Sequence, residues 1–292
     1  MAKLTISTTV DPFPLPVKDI HLEGIFGNLS DVIEARVMKL RAKPTSLNAE
    51  LIRFWEYALE NLDPALHARI QRKYLTKDRA IGISGLEGAS RELLPDMLKY
   101  IDPIIWLEGK LRLCRELGLH VMPPLRILDI GTGPGHFPFV ARFFGHSVVG
   151  TDLPEEVNDG KENTYLYDDL CRLYGVKRVP LRIQAMKDLP DIGERFDVVT
   201  SFLTAFNTHK DPRPEKAKEK GRPWAVEDWK WFVASCFRVW LKNGGRLAMS
   251  LAKGKMTEES WSYLDSISSK SDGQRLILEI SEVSELECEP CR

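Results

Sequence analysis

Hydrophobic residues follow a helical spacing through the first part of the chain. From Ser30 onward apolar positions recur every three or four residues, as amphipathic helices require. The clearest stripe holds Leu51, Phe54, Trp55, Ala58 and Leu59. Asp63-Pro64 and Asp102-Pro103 each place an N-cap acceptor before a proline, which favours a helix start at both sites. The sequence therefore predicts an all-helical N-terminal region over residues 1–120, with a glycine-rich stretch at 80–90 that could be a plain loop or a mobile lid.

The spacing changes at Arg126, where short apolar runs begin to alternate with helical stretches. We predict strands at Arg126–Ile130, Ser147–Thr151, Pro180–Gln184, Phe196–Phe202 and Arg246–Leu251. Helices are predicted from about His136 to Gly145, over Tyr165–Tyr174, and from Val226 to Trp240, before Asn243-Gly244-Gly245. Strands that alternate with helices imply a parallel sheet with helices on both faces. Residues 121–292 are therefore predicted to form a doubly wound α/β domain.

Three glycines stand on alternate positions after the first predicted strand. Gly131, Gly133 and Gly135 lack Cβ, so they allow a tight turn and the close approach of a ligand with a nucleoside part. Asp129 places a charge at the end of an apolar strand, and a ligand cation would compensate it. A dinucleotide oxidoreductase is an alternative, but the sixth position of its fingerprint is His136 rather than glycine or alanine. We expect His136 to start a helix.

This stretch resembles the signature of the class I S-adenosylmethionine-dependent methyltransferases, an acidic residue followed by x-Gly-x-Gly-x-Gly, which stands here as Asp129–Gly135. Phe196-Asp197-Val198-Val199 resembles the fourth strand of the family. Leu241–Leu247 resembles the entry to the fifth strand, with Asn243 in place of proline. The resemblance covers about residues 125–252 and implies S-adenosylmethionine as the cofactor.

The same resemblance implies a Rossmann-like methyltransferase sheet of seven strands. After the fifth strand the family has a helix and an antiparallel pair of strands. Here we predict a helix near Glu258–Ser268 and one convincing strand at Arg275–Ile280. The last strand of the sheet is therefore expected to be short or missing, which would leave a slightly reduced sheet.

The resemblance also assigns roles to single residues. Asp152, 21 positions after Gly131, is implied to accept hydrogen bonds from both ribose hydroxyls, and Ala185 with Met186 to lie at the adenine edge. The implied cofactor-binding residues are Asp129, Gly131, Thr132, Gly133, Gly135, Asp152, Leu153, Ala185, Met186 and Ser201. Six of these residues have a structural alternative: Asp129 could brace the loop, Asp152 could be a turn residue, Met186 could fill the core, and the three glycines could serve packing alone.

The methyl acceptor is expected to bind after the fourth strand. Residues 201–209 contain neither the Asn/Asp-Pro-Pro-aromatic motif nor the Pro-Cys nucleophile of nucleic-acid branches of the family. His209 is the candidate general base, because histidine titrates near neutral pH, and a surface loop histidine is the alternative. Trp229 suits the core, whereas Trp224 and Trp231 could line the acceptor pocket or only pack beside it.

A charged insertion, Lys210–Gly221, follows His209. Together with Arg222 it carries six basic and three acidic residues, so it could attract an anionic acceptor or be a solvated loop. The whole chain is balanced, with 41 basic and 42 acidic residues and a net charge of −1. The overall charge therefore gives no case for a nucleic-acid partner or an anionic membrane, and such a partner would need a local patch. No apolar stretch reaches the roughly 20 residues of a membrane span, and we expect a cytoplasmic protein.

The cysteines complete the sequence picture. Their odd number, five, and their scattered positions indicate reduced thiols, and we expect no metal site, although Cys288 and Cys291 have metal-type spacing. The sequence thus predicts a methyltransferase acting on a small-molecule hydroxyl, such as a sugar or polysaccharide precursor. Methylation of RNA or protein, and a catalytically silent cofactor-binding partner subunit, are the alternatives.

Overall fold

The computed structural model of the protein describes residues 27–43, 45–74, 98–153, 162–202, 204, 206–209, 221–251, 256–271 and 275–279. The chain divides into two compact units. The first holds residues 1–121, 134–144 and 160–176, and the second holds residues 122–133, 145–159 and 177–292. The predicted domain boundary near residue 120 stays a prediction. The glycine-rich stretch at 80–90, nearly all of the charged insertion (210–220), and Cys288 and Cys291 lie outside the described residues.

Helices and short 3-10 turns make up the described part of the first unit. The helices are α1 (Leu29–Arg41), α2 (Ser46–Asn61), α3 (Pro64–Tyr74), α4 (Pro103–Glu116), α5 (His136–Phe143) and α6 (Glu162–Leu173), with 3-10 turns at Leu98–Ile101 and Leu119–Val121. Both predicted proline starts are confirmed. The Asp63 carboxylate accepts a hydrogen bond from the Ala65 N–H at 2.8 Å, and the Asp102 carboxylate accepts one from the Ile104 N–H at 2.9 Å.

Aromatic rings and one carboxylate hold the core of this unit together. Phe54 of α2 is fully buried and packs edge-on against Phe139 of α5, with 6.2 Å between ring centroids. Glu108 of α4 accepts hydrogen bonds from Trp55 Nε1 at 3.0 Å and from the Arg36 guanidinium at 2.7 and 2.9 Å. The carboxylate therefore joins α1, α2 and α4 at one point.

His136 is the first residue of α5, as predicted, and its ring is buried. The ring stacks on Trp106 with 5.8 Å between centroids and 11° between planes, and Nε2 lies 3.2 Å from the Tyr100 carbonyl oxygen. Burial is the main cause that lowers the pKa of His136 to about 3, and the charge of Lys110 acts in the same direction. The ring is therefore neutral at physiological pH.

The second unit is built on a mostly parallel sheet, which confirms the predicted α/β class. Its strands are β1 (Arg126–Ile130), β2 (Ser147–Asp152), β3 (Arg178–Pro180), β4 (Phe196–Phe202), β7 (Leu241–Ser250), β8 (Lys270–Ser271) and β9 (Arg275–Glu279), while β5 (Thr208–His209) and β6 (Arg222–Pro223) form a separate antiparallel pair. The strand order is β3-β2-β1-β4-β7-β9-β8, in which the first five strands are parallel and the β7–β9 and β9–β8 pairs are antiparallel. The carboxyl end of β1 thus lies between those of β2 and β4, the usual ligand position in such sheets.

Two predicted strands differ in their bounds from the observed ones. The third strand was predicted at Pro180–Gln184, but β3 ends at Pro180, because β2, its partner among the described residues, ends at Asp152. The strand predicted from Arg246 begins five residues earlier, at Leu241. The predicted turn residues there form an irregularity within β7, at which the pairing with β4 shifts between Phe196 and Val198.

The core of the second unit packs α7 (Val226–Ser235) and α8 (Glu258–Ile267) with the sheet. The helix predicted to run from Val226 to Trp240 is α-helical only to Ser235, and its last residues, Cys236–Trp240, form a π-helical turn. Trp229 and Trp240 are fully buried, which confirms the core assignment of Trp229.

Three further observations bear on the sequence predictions. Within the described ranges, no helix has the length and hydropathy needed to cross a membrane. Cys114, Cys171 and Cys236 are buried free thiols, as expected of reduced cysteines. No group of three or more potential metal ligands is found among the residues that the structure describes.

Candidate functional site

The glycine loop after β1 leaves no room for a side chain at its first glycine. Gly131 has φ +69°, and a Cβ built on it would lie only 2.2 Å from Thr204 Cγ2. Thr204 follows β4, and its hydroxyl donates to the Ile130 carbonyl oxygen at 3.1 Å. The ends of β1 and β4 therefore meet at this glycine, and both the backbone conformation and the close contact require it. Gly133 and Gly135 also have positive φ values, +55° and +86°.

Asp129 is buried in β1, and both of its carboxylate oxygens accept hydrogen bonds. Thr200 Oγ1 donates to Oδ1 at 2.7 Å, and Thr132 Oγ1 donates to Oδ2 at 2.6 Å. The Thr132 N–H donates to the Thr151 carbonyl oxygen at 2.8 Å. Asp129 thus fixes the glycine loop against β2 and β4, which is the bracing role that the sequence left open. Its contact with a cofactor stays a prediction.

Asp152 ends β2 beside the same loop. Its Oδ2 accepts hydrogen bonds from the Gly133 N–H and from Arg178 Nη1, each at 3.1 Å, and its Oδ1 accepts one from the Leu153 N–H at 2.8 Å. The carboxylate is half-buried and forms an ion pair with Arg178. The sequence did not single out Arg178, because nothing in its local pattern shows that β3 pairs with the end of β2.

A cavity of about 490 Å³ opens in the second unit where β1 and β2 end, a volume typical of small-molecule sites. It is lined by Ile130, Gly131, Thr151, Asp152, Leu153, Leu181, Arg182, Ile183, Gln184, Ala185, Lys187, Thr204, Phe206, Thr208 and His209. The structure thus brings together five of the predicted site residues, which are Gly131, Asp152, Leu153, Ala185 and His209. The predicted residues outside this lining are Asp129, Thr132, Gly133, Gly135, Met186 and Ser201.

Met186 and Ser201 occupy contrasting positions. Met186 is 50% exposed and has φ +61°, so the alternative that it fills the core is wrong. An L-residue with a side chain seldom adopts this conformation, and here it occurs between Ala185 and Lys187, which both line the cavity. Ser201 is fully buried in β4, and its hydroxyl has no hydrogen-bond partner among the described residues. Their predicted contacts with a cofactor stay predictions.

His209 lies far from the glycine motif in sequence but lines the same cavity. Its Nε2 is 2.8 Å from Asp228 Oδ2, while its side chain is 34% exposed. A histidine paired with a carboxylate and open to a cavity has the arrangement of a general base. Asp228 was missed by sequence reasoning, because it reads as an ordinary acidic residue in the first turn of a helix.

Aromatic residues on both sides of His209 in the chain pack together, and of these Phe206 lines the cavity. Phe206 lines the cavity and packs on Trp224 and Phe232, with centroid distances of 5.4 and 5.0 Å. Trp224 is buried to 1% exposure, and neither Trp224 nor Trp231 lines the cavity. The packing alternative therefore holds for both tryptophans.

No protein-family model and no curated protein sequence matches this chain. Solved structures do match. The ribosomal protein L11 methylase of Lactobacillus delbrueckii subsp. bulgaricus is 15% identical with a TM-score of 0.34, and the match covers 59% of this chain and 76% of that one. A TehB-like SAM-dependent methyltransferase from Corynebacterium glutamicum is 18% identical with a TM-score of 0.36, covering 59% and 88%.

A third similar structure is CalS10 with SAM bound, an amino pentose methyltransferase from Micromonospora echinaspora. It is 22% identical with a TM-score of 0.33, and the match covers 52% of this chain and 54% of that one, about half of its length. Each of these three matches covers between 52% and 59% of this chain. The function proposed below rests on the residues of the site.

Proposed function

We propose that this protein is an S-adenosylmethionine-dependent methyltransferase whose acceptor is a hydroxyl group of a small molecule. One observation carries the proposal: a single cavity is lined by a glycine turn at Gly131, a strand-end carboxylate at Asp152 and a carboxylate-paired histidine at His209. The first two residues suit a nucleoside, and the third suits the removal of a proton.

The residues of the cavity fit the cofactor. Gly131 lines the cavity, so its backbone borders the space that a ligand would occupy. Asp152 would hold the ribose, Leu153 and Ala185 would flank the adenine, and Gly131 would face the remaining part of the nucleoside. When bound, S-adenosylmethionine supplies a methyl group already activated by a sulfonium.

The role of His209 follows from the acceptor. An acceptor hydroxyl is a weak nucleophile until it loses its proton, and His209 would take that proton. The methyl carbon would exchange its bond to the sulfonium sulfur for a bond to the oxygen, and the neutral thioether would leave. The rest of the catalytic contribution is alignment of the two reactants by the walls of the cavity, including Phe206 and Thr208.

We extend the proposal to the fold of the whole chain, a doubly wound methyltransferase sheet of seven strands preceded by a helical region. The strand order β3-β2-β1-β4-β7-β9-β8 and the antiparallel β9 support it. The near-neutral charge of the chain supports a small-molecule acceptor over RNA. A hydroxyl on a sugar or polysaccharide precursor is the acceptor that we propose to test first.

Calorimetric titration with S-adenosylmethionine and with its demethylated product tests the proposal. We expect saturable binding of both, and no binding at high micromolar concentration would refute it. A His209→Ala variant should keep the cofactor affinity and lose about 10²- to 10⁴-fold in turnover, measured by methyl transfer from labelled S-adenosylmethionine to a panel of hydroxyl compounds, transfer RNA and protein. Lost cofactor affinity in this variant would contradict the role of His209.

A further inference from the structure

His209 and Asp228 are brought together by the backbone around them. His209 is paired with Arg222 in the antiparallel β5–β6 ladder, and the Trp224 N–H donates to the Asn207 carbonyl oxygen at 3.0 Å. The chain then enters α7 at Val226, so Asp228 lies in the first turn of that helix. His209 and Asp228 are 19 positions apart in sequence, and this backbone arrangement brings His209 Nε2 to 2.8 Å from Asp228 Oδ2.

The close approach of the chain at Gly221 to β5 leaves no room for a side chain at this glycine. A Cβ on Gly221 would lie 2.8 Å from the His209 carbonyl oxygen and 3.1 Å from Thr208 Cβ. The two strands therefore approach each other closely at the position where His209 must be held.

The Asp228 carboxylate is oriented by a hydrogen bond other than its contact with the imidazole. Its Oδ2 accepts a hydrogen bond from the Ala225 N–H at 2.9 Å, at the start of α7, and its side chain is 11% exposed. The same oxygen lies 2.8 Å from His209 Nε2. An ionised carboxylate can only accept hydrogen bonds, so Nε2 must carry the hydrogen in this contact.

We propose that Asp228 is a positioning residue that fixes the tautomer of His209, so that Nδ1 is the atom that takes the proton of the acceptor. A neutral imidazole with its hydrogen on Nε2 has its free lone pair on Nδ1. When Nδ1 takes the proton from the acceptor hydroxyl, the ring becomes an imidazolium, and the carboxylate of Asp228 beside Nε2 compensates its charge. This inference rests on the proposed function, because it assigns the atom through which the proposed base acts.

Nitrogen NMR of the full-length protein tests the tautomer without any substrate. Long-range proton–nitrogen spectra near about pH 8, where an ordinary histidine is neutral, report which ring nitrogen carries the hydrogen. A His209→Gln variant assigns the signals. We expect a protonated Nε2 and an unprotonated Nδ1 in the wild-type protein. A protonated Nδ1, or an average of the two tautomers, would overturn the proposal.

The role of Asp228 is tested by an Asp228→Ala variant. We expect the His209 signals to move towards an average of the two tautomers, because the acceptor that fixes the hydrogen is gone. Glu227→Ala is the matched control: Glu227 is the neighbouring acid of the same helical turn, is 71% exposed and pairs with Lys230. Unchanged tautomer populations in Asp228→Ala, or an equal change in Glu227→Ala, would refute the positioning role.

The tautomer experiments can fail while the test of the proposed function succeeds, and the reverse is also possible. The cofactor titration does not depend on the state of His209, and the tautomer measurement requires no cofactor. If Asp228→Ala fails to fold, the wild-type spectrum still decides which nitrogen carries the hydrogen. With an acceptor in hand, Asp228→Ala should also lower turnover by up to about 10²-fold while leaving the affinity for S-adenosylmethionine within about twofold.

Discussion

Two properties of the glycine loop require glycine at position 131: its backbone conformation and its close contact with Thr204. Any other residue at this position would have to adopt φ +69°, and its Cβ would have to displace the Thr204 side chain. We expect Gly131→Ala to destabilise the protein by about 2–4 kcal/mol, because conformational strain and overpacking add. Urea unfolding monitored by circular dichroism measures this loss.

Gly193→Ala is the matched control for this prediction. Gly193 has a similar φ of +80°, but a Cβ there meets nothing within 4 Å. It should therefore cost only about 1 kcal/mol, the strain of the left-handed conformation. Equal losses in the two variants would show that the contact with Thr204 does not contribute.

Asp152 makes a second prediction at this scale. An ionised carboxylate has about four acceptor sites, and three are used by the Gly133 N–H, the Leu153 N–H and Arg178. One ribose hydroxyl can bind directly, and a second would require Arg178 to shift. We expect Asp152→Ala to weaken S-adenosylmethionine binding by about 10- to 100-fold, the value of a charge-assisted hydrogen bond, as measured by calorimetry.

The control for Asp152→Ala is Asp188→Ala, which removes an exposed carboxylate outside the cavity lining. Its cofactor affinity should equal that of the wild-type protein. An unchanged affinity in Asp152→Ala would leave only the turn-residue alternative for that position.

Among the secondary-structure elements, the β5–β6 ladder gives a prediction of its own. Gly221→Ala places a methyl group against the His209 backbone, where the obstructing atom is a carbonyl oxygen that cannot rotate away. We expect a loss of about 1–3 kcal/mol in stability and a broadened His209 ring signal by NMR. A variant with full stability and an unchanged His209 signal would show that the β5–β6 ladder accommodates the methyl group without displacing His209.

The elements differ in how well the sequence predicts them. β1, β2 and β4 were predicted within a residue, because buried parallel strands are continuous apolar runs with clear ends. β3 could not be placed, because the end of its pairing is set by Asp152 on another strand. The start of β7 was missed for a related reason: glycines that signal a turn also form the irregularity within that strand.

The site divides in the same way. Gly131 stands in a local motif, and the family resemblance singles out Asp152 by its offset from that motif, so the sequence points to two residues that line the cavity. Thr204 and Asp228 enter the site only through the close packing at Gly131 and the pairing of β5 with β6, neither of which leaves a mark in the local sequence.

The stability of the whole molecule should depend on pH through His136. Its pKa is lowered to about 3 in the folded protein, so between that value and the ordinary 6.5 the unfolded chain binds a proton that the folded chain does not. Stability is therefore complete above about pH 6.5 and falls as the pH decreases. The expected loss attributable to His136 between about pH 7 and pH 5 is about 2 kcal/mol.

A His136→Phe variant isolates this contribution. Urea unfolding at the two pH values should show a smaller loss in the variant by about 2 kcal/mol, since all other titrating groups are shared. Identical pH dependence in both proteins would contradict the buried, neutral state of the ring.

The position of β9 has a consequence for the order in which the protein is made. β7 pairs along five residues with β9, which comes later in the chain than β8 yet lies between β7 and β8 in the sheet. Until residue 279 has left the ribosome, a long strand edge on β7 has no partner, and open edges of this kind recruit other chains. Synthesis of β9 is thus the step that covers this edge of β7, and a nascent chain paused before that step exposes the edge to other chains.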